Sequence, residues 1–560
     1  MEQRFDRFYR HAEMSAILAA LVQRNPGRFT IESVGKSHEG RDIWLVTATN
    51  SATGAASDKP AFWVDGNIHA AELTASTACL RFLDHLERGY GTDPDVTRLL
   101  DTRAIYVCPR VNPDGAEWAL ADKPRYIRSS TRPYPYDEDP VEGLNVEDVD
   151  GDGRILSMRI RDPNGAYKAH PEDPRLMTPR DPVEAGGEYW RVIPEGLLVN
   201  FDGVEMRVNR DKEGLDLNRN FPSGWRQEFQ QAGAGPYPTS EPEVRAVVDF
   251  ITRHPNIGAG VSFHTHSGVI LRPFSSESDD NMVPEDLWLY KLFGKKSTEL
   301  TGYPNISIFH DFKYHPKQII TGGFDWIYEH LGQFFWTVEI WAPMREAGIE
   351  NYHFIEWYRT HPPEDDLKML AWSDRELGGE AYVPWYPFEH PQLGPVELGG
   401  WNKLACFRNP PKKYLEREVN RFPKWLTWQA LTLPRLELLR TDVTRLGTDT
   451  WKVRLAVHNS GYLPSYVTKR ALERKTVRGT VYEIALPEGA ALVSGKPRVE
   501  GGQLEGRANK VSLQAFLPNP ELTGDRAQCE WTIRAPAGAV VEVSARNERA
   551  GRVSAALTLA

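Results

Sequence analysis

The run Trp63-Val-Asp-Gly-Asn-Ile-His69-Ala-Ala-Glu72 constrains this chain more than any other stretch. Ala61 to Val64 reads as a short apolar strand, Gly66 and Asn67 as a tight turn, and Glu72 to Leu86 as a helix with apolar residues at helical spacing. His69 and Glu72 therefore sit where strand becomes helix, and an imidazole and a carboxylate three residues apart there can grip one cation. Imidazole nitrogen and carboxylate oxygen both suit Zn²⁺, and a catalytic zinc takes three protein ligands. One ligand is missing from this stretch. The same His-x-x-Glu spacing recurs at His353–Glu356 and His361–Glu364, so the motif needs company before it means anything.

Composition narrows the classes. The chain has 560 residues, 40% hydrophobic and 26% charged, in the ordinary range for a globular protein able to bury a large core. A net charge of −10 gives no sign of a nucleic-acid partner and fits small or neutral ones. No stretch approaches ~18 uninterrupted apolar residues, and the first ten residues scatter charges where a signal peptide would be apolar. No membrane association and a cytoplasmic location are the expectations. Cys79, Cys108, Cys406 and Cys529 are far apart, with no Cys-x-x-Cys pair, so neither a disulfide framework nor a thiolate zinc site is indicated. Cys79 and Cys108 lie in apolar stretches and read as core residues. No feature specifies an oligomeric state.

Helical spacing around Ala12–Gln23 and strands at Phe29–Ile31 and Ile43–Thr47 precede the central junction. Arg103 to Cys108 forms another short strand ending in the turn Asn112-Pro-Asp-Gly115, so the core reads as βαβ. Between 133 and 213 Pro, Gly, Asp and Arg dominate without a sustained period, which reads as a long insertion outside the core. Within it Asp148-Val-Asp150-Gly-Asp152-Gly resembles the first half of a calcium loop, although Arg159 stands at the twelfth position; Asp162 is a candidate replacement oxygen for a structural Ca²⁺. Ser240-Glu-Pro-Glu243 reads as a capping box opening a helix through Ile251. Ile257–Phe263 is a strand leading to His264-Thr-His266, and Gln333–Val338 another leading to Glu339. In open, mostly parallel α/β sheets ligands bind beyond the carboxyl ends of the strands, so these distant residues can meet there. From about 435 short alternating segments replace this pattern and read as an all-β sandwich. The expected division is an α/β catalytic domain over 1–405 with a mixed, mostly parallel sheet, a linker over 406–434 and a β-sandwich over 435–560.

The missing ligand comes from the end of another strand, and His264 and His266 are both placed for it by spacing. From about Phe5 to Pro343 the chain resembles the zinc carboxypeptidase family, peptidase family M14. The resemblance is carried, in order, by His69-x-x-Glu72, Asn112-Pro-Asp-Gly115, Asp216-Leu-Asn218-Arg219-Asn220, Ser240-Glu-Pro-Glu243, Phe263-His264-Thr-His-Ser and Thr337-Val-Glu339. It implies a metallocarboxypeptidase in which His69, Glu72 and His264 hold Zn²⁺ and His266 belongs to the pocket wall. Zinc in such a site lowers the pKa of its bound water toward ~7 and polarises the scissile carbonyl. Glu339 matches the family's general base, and Arg128, with Arg125 and Arg132 as neighbours in an open register, matches its oxyanion-stabilising arginine. Asn218 and Arg219 match the pair that reads the free C-terminal carboxylate of a peptide substrate. Asp216 matches the carboxylate that orients the first histidine.

Two departures carry consequences. The family's mobile tyrosine has no aligned counterpart, Tyr314 being nearest, and the arginine between the first two ligands is replaced by Ala71. Phe324 falls where the family's pocket floor sets side-chain preference, which implies an apolar or aromatic C-terminal residue. Rival readings are a zinc amidohydrolase of N-acyl amino acids of the aspartoacylase and desuccinylase type, a muropeptide peptidase, and a binding protein with a decayed zinc site. Asn112-Pro-Asp-Gly115 and His264-Thr-His-Ser favour the peptidase over the amidohydrolase.

Overall fold

Apolar runs too short for helices become the strands of one eight-stranded sheet in the computed structural model, which describes residues 3–138, 142–312, 320–508 and 522–560. The strands are β1 (Phe29–Lys36), β2 (Asp42–Ala48), β3 (Ala61–Gly66), β4 (Ala104–Cys108), β5 (Ile257–Thr265), β6 (Val269–Arg272), β7 (Asn305–Ser307) and β8 (Phe334–Ile340). Their order across the sheet is β1-β2-β4-β3-β5-β8-β6-β7. The pairs β4–β3, β3–β5, β5–β8 and β6–β7 are parallel and the remaining pairs antiparallel. This is the mixed, mostly parallel α/β sheet anticipated above.

Strand β3 is buried along its whole length because helices cover both faces. Period-two alternation divides it: Phe62 and Val64 join the cluster containing Leu80, Phe82 and Leu83 of the helix Leu73–Gly89, while Ala61 and Trp63 join Val247, Phe250 and Ile251 of the helix Pro242–Arg253. Cys79 and Cys108 are fully buried in these clusters. Strands β3, β5 and β8 lie side by side, and their carboxyl ends carry the ligand turn, His264 and Glu339. Among the described residues no helix is long and apolar enough to cross a membrane.

Three expectations need correction. Asn112-Pro-Asp-Gly115 does more than turn: Asn112 caps a short helix, Pro113–Ala119, its Oδ1 accepting from the Gly115 amide at 2.9 Å. Ser240 does not cap the helix Pro242–Arg253; Glu241 is the N-cap residue. The Ser240 hydroxyl is spent donating to the Glu241 carboxylate, and Glu243 accepts from the His38 amide at 2.8 Å instead of closing a box. The stretch 406–434 is no bare linker. It continues the π-helical turn Leu404–Arg408 into the helices Lys412–Val419 and Pro423–Leu431, whose Leu415, Trp425 and Leu426 sit in the main core.

The insertion is also more ordered than its composition indicates. Ser157–Arg161, Tyr167–Ala169, Met177–Pro179 and Trp190–Pro194 join the hairpin Tyr382–His390 and Gly394–Trp401 in a six-stranded sheet. Its period is weak in sequence because most of these strand residues are only half-buried. In the acidic loop, Asp148 accepts from the Gly151 and Gly153 amides at 2.7 and 2.8 Å, and Asp152 pairs with Arg154. Asp162, the candidate replacement oxygen, is bound to Arg191, and Arg159 to Glu397. The carboxylates that converge are Asp148, Asp150 and Glu195, a different set from the one a calcium loop requires. Nothing in this geometry supports calcium.

Among the described residues, the strands between Leu436 and Thr558 form two antiparallel four-stranded sheets around a shared core of Trp451, Tyr482, Trp531 and Val543. Buried polar groups fasten this sandwich to the α/β domain. Arg549 donates to the carbonyls of Gly332 and Tyr466 at 2.7 and 3.0 Å, and Asp286 accepts from the Lys469 and Arg470 amides at 2.8 and 3.0 Å.

Because Trp425 is 0% exposed in the main core, Trp425→Ala is expected to lower unfolding free energy by about 3–5 kcal/mol. Chemical denaturation checks this; a loss below about 1 kcal/mol, the range of surface changes, would return 406–434 to the status of a linker.

Candidate active site

Asn67 sets the geometry of the junction. It adopts a left-handed φ of 59°, a conformation asparagine tolerates better than most residues, and its Nδ2 donates to the carbonyls of His69 and Ala70 at 2.7 and 3.2 Å. Its Oδ1 accepts from the Ser76 hydroxyl, tying the turn to the following helix. Glu72 then stands at the N-cap of the helix Leu73–Gly89, facing the same point as His69.

Strand β5 brings the third group. His69 Nδ1 lies 3.0 Å from Glu72 Oε1, His264 Nδ1 lies 3.2 Å from Glu72 Oε2, and the two Nδ1 atoms are 3.1 Å apart. All three residues are buried. Ligand atoms on a tetrahedral zinc with bonds of about 2.0–2.1 Å stand about 3.3 Å apart, so this donor set fits one zinc ion. The neighbouring carboxylate is also fastened by the Thr265 amide, 3.1 Å from Glu72 Oε2.

Outer hydrogen bonds decide which nitrogen is presented. His69 Nε2 lies 3.2 Å from Asp216 Oδ1, so Nε2 carries the proton and Nδ1 keeps its lone pair for the metal. Sequence reasoning found this partner for His69 but missed the one for His264. There the Ser262 hydroxyl, 3.2 Å from Nε2, donates to the buried Asp65 carboxylate, which also accepts from the Trp63 indole. A hydroxyl committed as donor to Asp65 is an acceptor for Nε2–H, which again leaves Nδ1 unprotonated. The signal was present as Ser262, two residues before His264 on the same strand face, but only the parallel β3–β5 pairing opposes it to Asp65.

The three arginines of the open register have different partners. Arg125 pairs with Glu213 at 2.9 Å and Arg132 is taken by Glu241, whereas Arg128 Nε lies 2.9 Å from Asp216 Oδ2 and its Nη1 is 3.6 Å from Glu72 Oε1. The Arg128 segment is pinned to the ligand turn: Asn112 Nδ2 bridges to the Ser129 carbonyl at 2.6 Å, and the Ala70 amide donates to the Arg128 carbonyl at 3.2 Å. Burial alone would raise the Asp216 pKa, but Arg128, Arg219 and His69 hold it well below the usual carboxylate range.

Glu339 is in register with His264 on the neighbouring strand and is partly buried. Burial and then the Glu72 charge push its carboxyl up to about 7, against lowering by His264, Arg128 and Arg408. A dication between the ligands acts in the lowering direction as well. His266 lines the cleft, but its partner is the Tyr358 hydroxyl at 3.0 Å rather than backbone, and burial holds it neutral, at about 3.

Two separate cavities have members of the donor cluster in their walls. One, of about 620 Å³, contains His69 and Glu72 together with Arg128, His266, Trp357 and Arg408 in its wall. The other, of about 20 Å³, contains His264, Asn218, Phe324, Ile327, Phe335 and Thr337. Asn218 Oδ1 accepts from the Gly323 amide at 2.9 Å, which commits the amide oxygen and leaves the NH₂ as the group for a ligand. Arg219 lines neither cavity; its Nη1 donates to the Asn218 carbonyl at 2.9 Å and its Nη2 is 3.9 Å from Asp216. Tyr314 lies outside the described residues. Among the described residues the other two His-x-x-Glu pairs join no such cluster: His361 stacks on Trp357 and pairs with Asp366, and His353 precedes a short helix.

A domain of alternating strands and helices carries a two-histidine, one-carboxylate donor set of the kind that holds a single transition metal, and comparison with known proteins names its family. The family model described as zinc carboxypeptidase (Peptidase_M14) matches residues 14–150 and 192–368, so the chain belongs to the zinc carboxypeptidase family. The gap in that match falls inside the insertion. Residues 435–558 match a domain of unknown function. Carboxypeptidase A1 of Rattus norvegicus is 23% identical over 355 residues, 61% of this chain and 63% of that relative, so the chain spans less than two thirds of its length. Thrombin activatable fibrinolysis inhibitor (TAFI) aligns structurally over 76% of this chain and 74% of its own, with a TM-score of 0.44 and 18% identity. An aspartoacylase family protein from Mesorhizobium loti aligns over 56% of this chain and 62% of its own, at 12% identity and a TM-score of 0.27.

Removing the outer partner of His69 is expected to weaken zinc without unfolding the chain. Asp216→Asn should lower zinc affinity about 10–100-fold, and His69→Ala should abolish stoichiometric binding. Competition with a zinc chelator measures both; parent-like affinity in Asp216→Asn would remove that carboxylate from the metal site.

Proposed function

We propose that this protein is a zinc-dependent carboxypeptidase that removes the C-terminal residue from peptides with a free carboxylate. The observation that carries the reading is the convergence of His69 Nδ1, Glu72 and His264 Nδ1 at about one zinc's ligand spacing, with Glu339 in register beside His264. Bound zinc supplies Lewis acidity toward a carbonyl oxygen and makes water easier to deprotonate.

The protein's own groups do the rest. Glu339, in register beside His264 at the strand ends, takes a proton from the attacking water and gives it to the leaving amine. Arg128 hydrogen-bonds the carbonyl oxygen as negative charge develops on it, from a segment fixed by Asn112 and Ser129. Asn218 offers an amide NH₂ to the terminal carboxylate, and Arg219 reaches the same carboxylate by exchanging its bond to the Asn218 carbonyl for a forked pair.

The small cavity beside Asn218 receives the terminal side chain. Its lining of Phe324, Ile327 and Phe335 is apolar, in keeping with the preference inferred from Phe324. Its size points away from an aromatic residue: about 20 Å³ has room for a water or a methyl group and none for a ring. A small terminal residue such as alanine is the favoured leaving group.

Glu339→Gln is expected to retain stoichiometric zinc and lose at least about a thousandfold in kcat, since proton transfer at both ends of the reaction is removed. Retention of parent turnover would take Glu339 out of the mechanism. Phe324→Ala should shift the preference from terminal alanine toward leucine or phenylalanine in kcat/KM on a matched dipeptide series. An unchanged series would place the terminal side chain elsewhere.

A further inference from the structure

One wall of the larger cleft is built from outside the stretches that match the carboxypeptidase family. Trp401, Lys403, Leu404, Phe407 and Arg408 line it, and all follow residue 368. Arg408 comes closest to the chemistry, with Nη1 3.5 Å from Glu72 Oε1, although 336 residues separate the two. It stands beside Ala71, a side chain too short to reach a ligand.

This placement is built in. Asn409, fully buried, donates from Nδ2 to the Ala71 carbonyl at 2.8 Å and accepts on Oδ1 from the Thr74 amide and hydroxyl at 3.0 and 2.9 Å. These bonds bracket Glu72 and fasten the 404–408 turn to the ligand turn itself. Trp341 Nε1 donates to the Cys406 carbonyl at 2.6 Å from the other side. Arg408 is thereby held at the rim of the donor cluster with its side chain still 40% exposed to the cleft.

The charge of the lining is opposite to that of the whole protein. The chain carries a net −10, but the cleft wall holds Arg128, Lys403 and Arg408 against Glu72 and Asp366. Both carboxylates are occupied, Glu72 at the donor cluster and Asp366 with His361 at 3.2 Å. Lys403 has no hydrogen-bond or ion-pair partner among the described residues and is exposed. Two cations therefore face the cleft without a dedicated carboxylate, and Trp401 and Phe407, packed edge to face with centroids 5.5 Å apart, line the same cleft.

Geometry gives this cleft a place on the substrate. If the terminal residue enters the cavity of Asn218 and Phe324, on the His264 side, the chain upstream of the scissile bond leaves on the His69 and Glu72 side, past Arg408. Resting on the carboxypeptidase reading above, we propose that Arg408 and Lys403 form an anion-recognising subsite for the residue preceding the scissile bond. The substrates it favours are peptides with a side-chain carboxylate at the penultimate position. The aromatic walls take the aliphatic stem of that residue, and the two cations take its carboxylate by charge-assisted hydrogen bonds.

The test uses acetyl-Glu-Ala, acetyl-Gln-Ala and acetyl-Lys-Ala, which differ only in penultimate charge. Binding to zinc-loaded Glu339→Gln protein is followed by calorimetry, and hydrolysis by the zinc-loaded parent is followed alongside. The Glu peptide is expected to bind about tenfold more tightly than the Gln peptide, with the Lys peptide weaker still, and the advantage should shrink as salt rises. Adding Arg408→Gln or Lys403→Glu to the Glu339→Gln protein should reduce it, the second even to reversal, and Lys403 is exposed enough for that change to leave the fold intact. Equal binding of the Glu and Gln peptides, or a preference that survives both substitutions, overturns the subsite. A binding preference without hydrolysis of any of the three peptides by the parent leaves the subsite standing and overturns the carboxypeptidase reading instead.

Discussion

Holding one carboxylate and two imidazole nitrogens within about 3 Å of each other inside a protein is unfavourable without a cation, and the rest of the fold is arranged around that convergence. Three adjacent strands end at the same edge, so residues 69, 264 and 339 meet although nearly two hundred residues separate the first two. The left-handed Asn67 turns the chain sharply enough for His69 and Glu72 to face one point. Asp216 and the Ser262–Asp65 pair then fix the imidazole tautomers from behind, so both lone pairs aim inward.

What was legible in the sequence follows from the range of the interactions. Strands β3, β4, β5 and β8 are continuous apolar runs because both sheet faces are covered, and such runs are visible residue by residue. The candidate ligands His69 and Glu72 share one turn, and His264 and Glu339 end strands, so their places could be read from local pattern together with the family resemblance. The Ser240 cap failed because its hydroxyl is claimed by a carboxylate that itself answers Arg132, 109 residues away in sequence. The 406–434 helices were missed because Trp425 and Leu426 face a core made by distant segments. Arg408 could not be found locally: it reaches Glu72 only through Asn409, whose partners are 335 and 338 residues away.

Segments outside the family match supply one wall of the cleft beside the donor cluster. The insertion strands pair with the 394–401 strand, and the chain that continues from it, 401–409, forms one wall of the cleft. The helices that follow pass through the main core and lead to the sandwich, which Arg549 and Asp286 clamp to the α/β domain. The donor set at the strand ends thus lies beside a cleft walled in part by segments outside the family match, and beside a small, mostly apolar cavity.

The most direct test of the central claim is mass spectrometry of the products formed by the zinc-loaded protein from a peptide pool, each sequence supplied both as the free acid and as the C-terminal amide. The account predicts stepwise loss of single C-terminal residues from the free acids, with the amides untouched. Equal trimming of both forms, or hydrolysis of N-acyl amino acids with every peptide left intact, would contradict it.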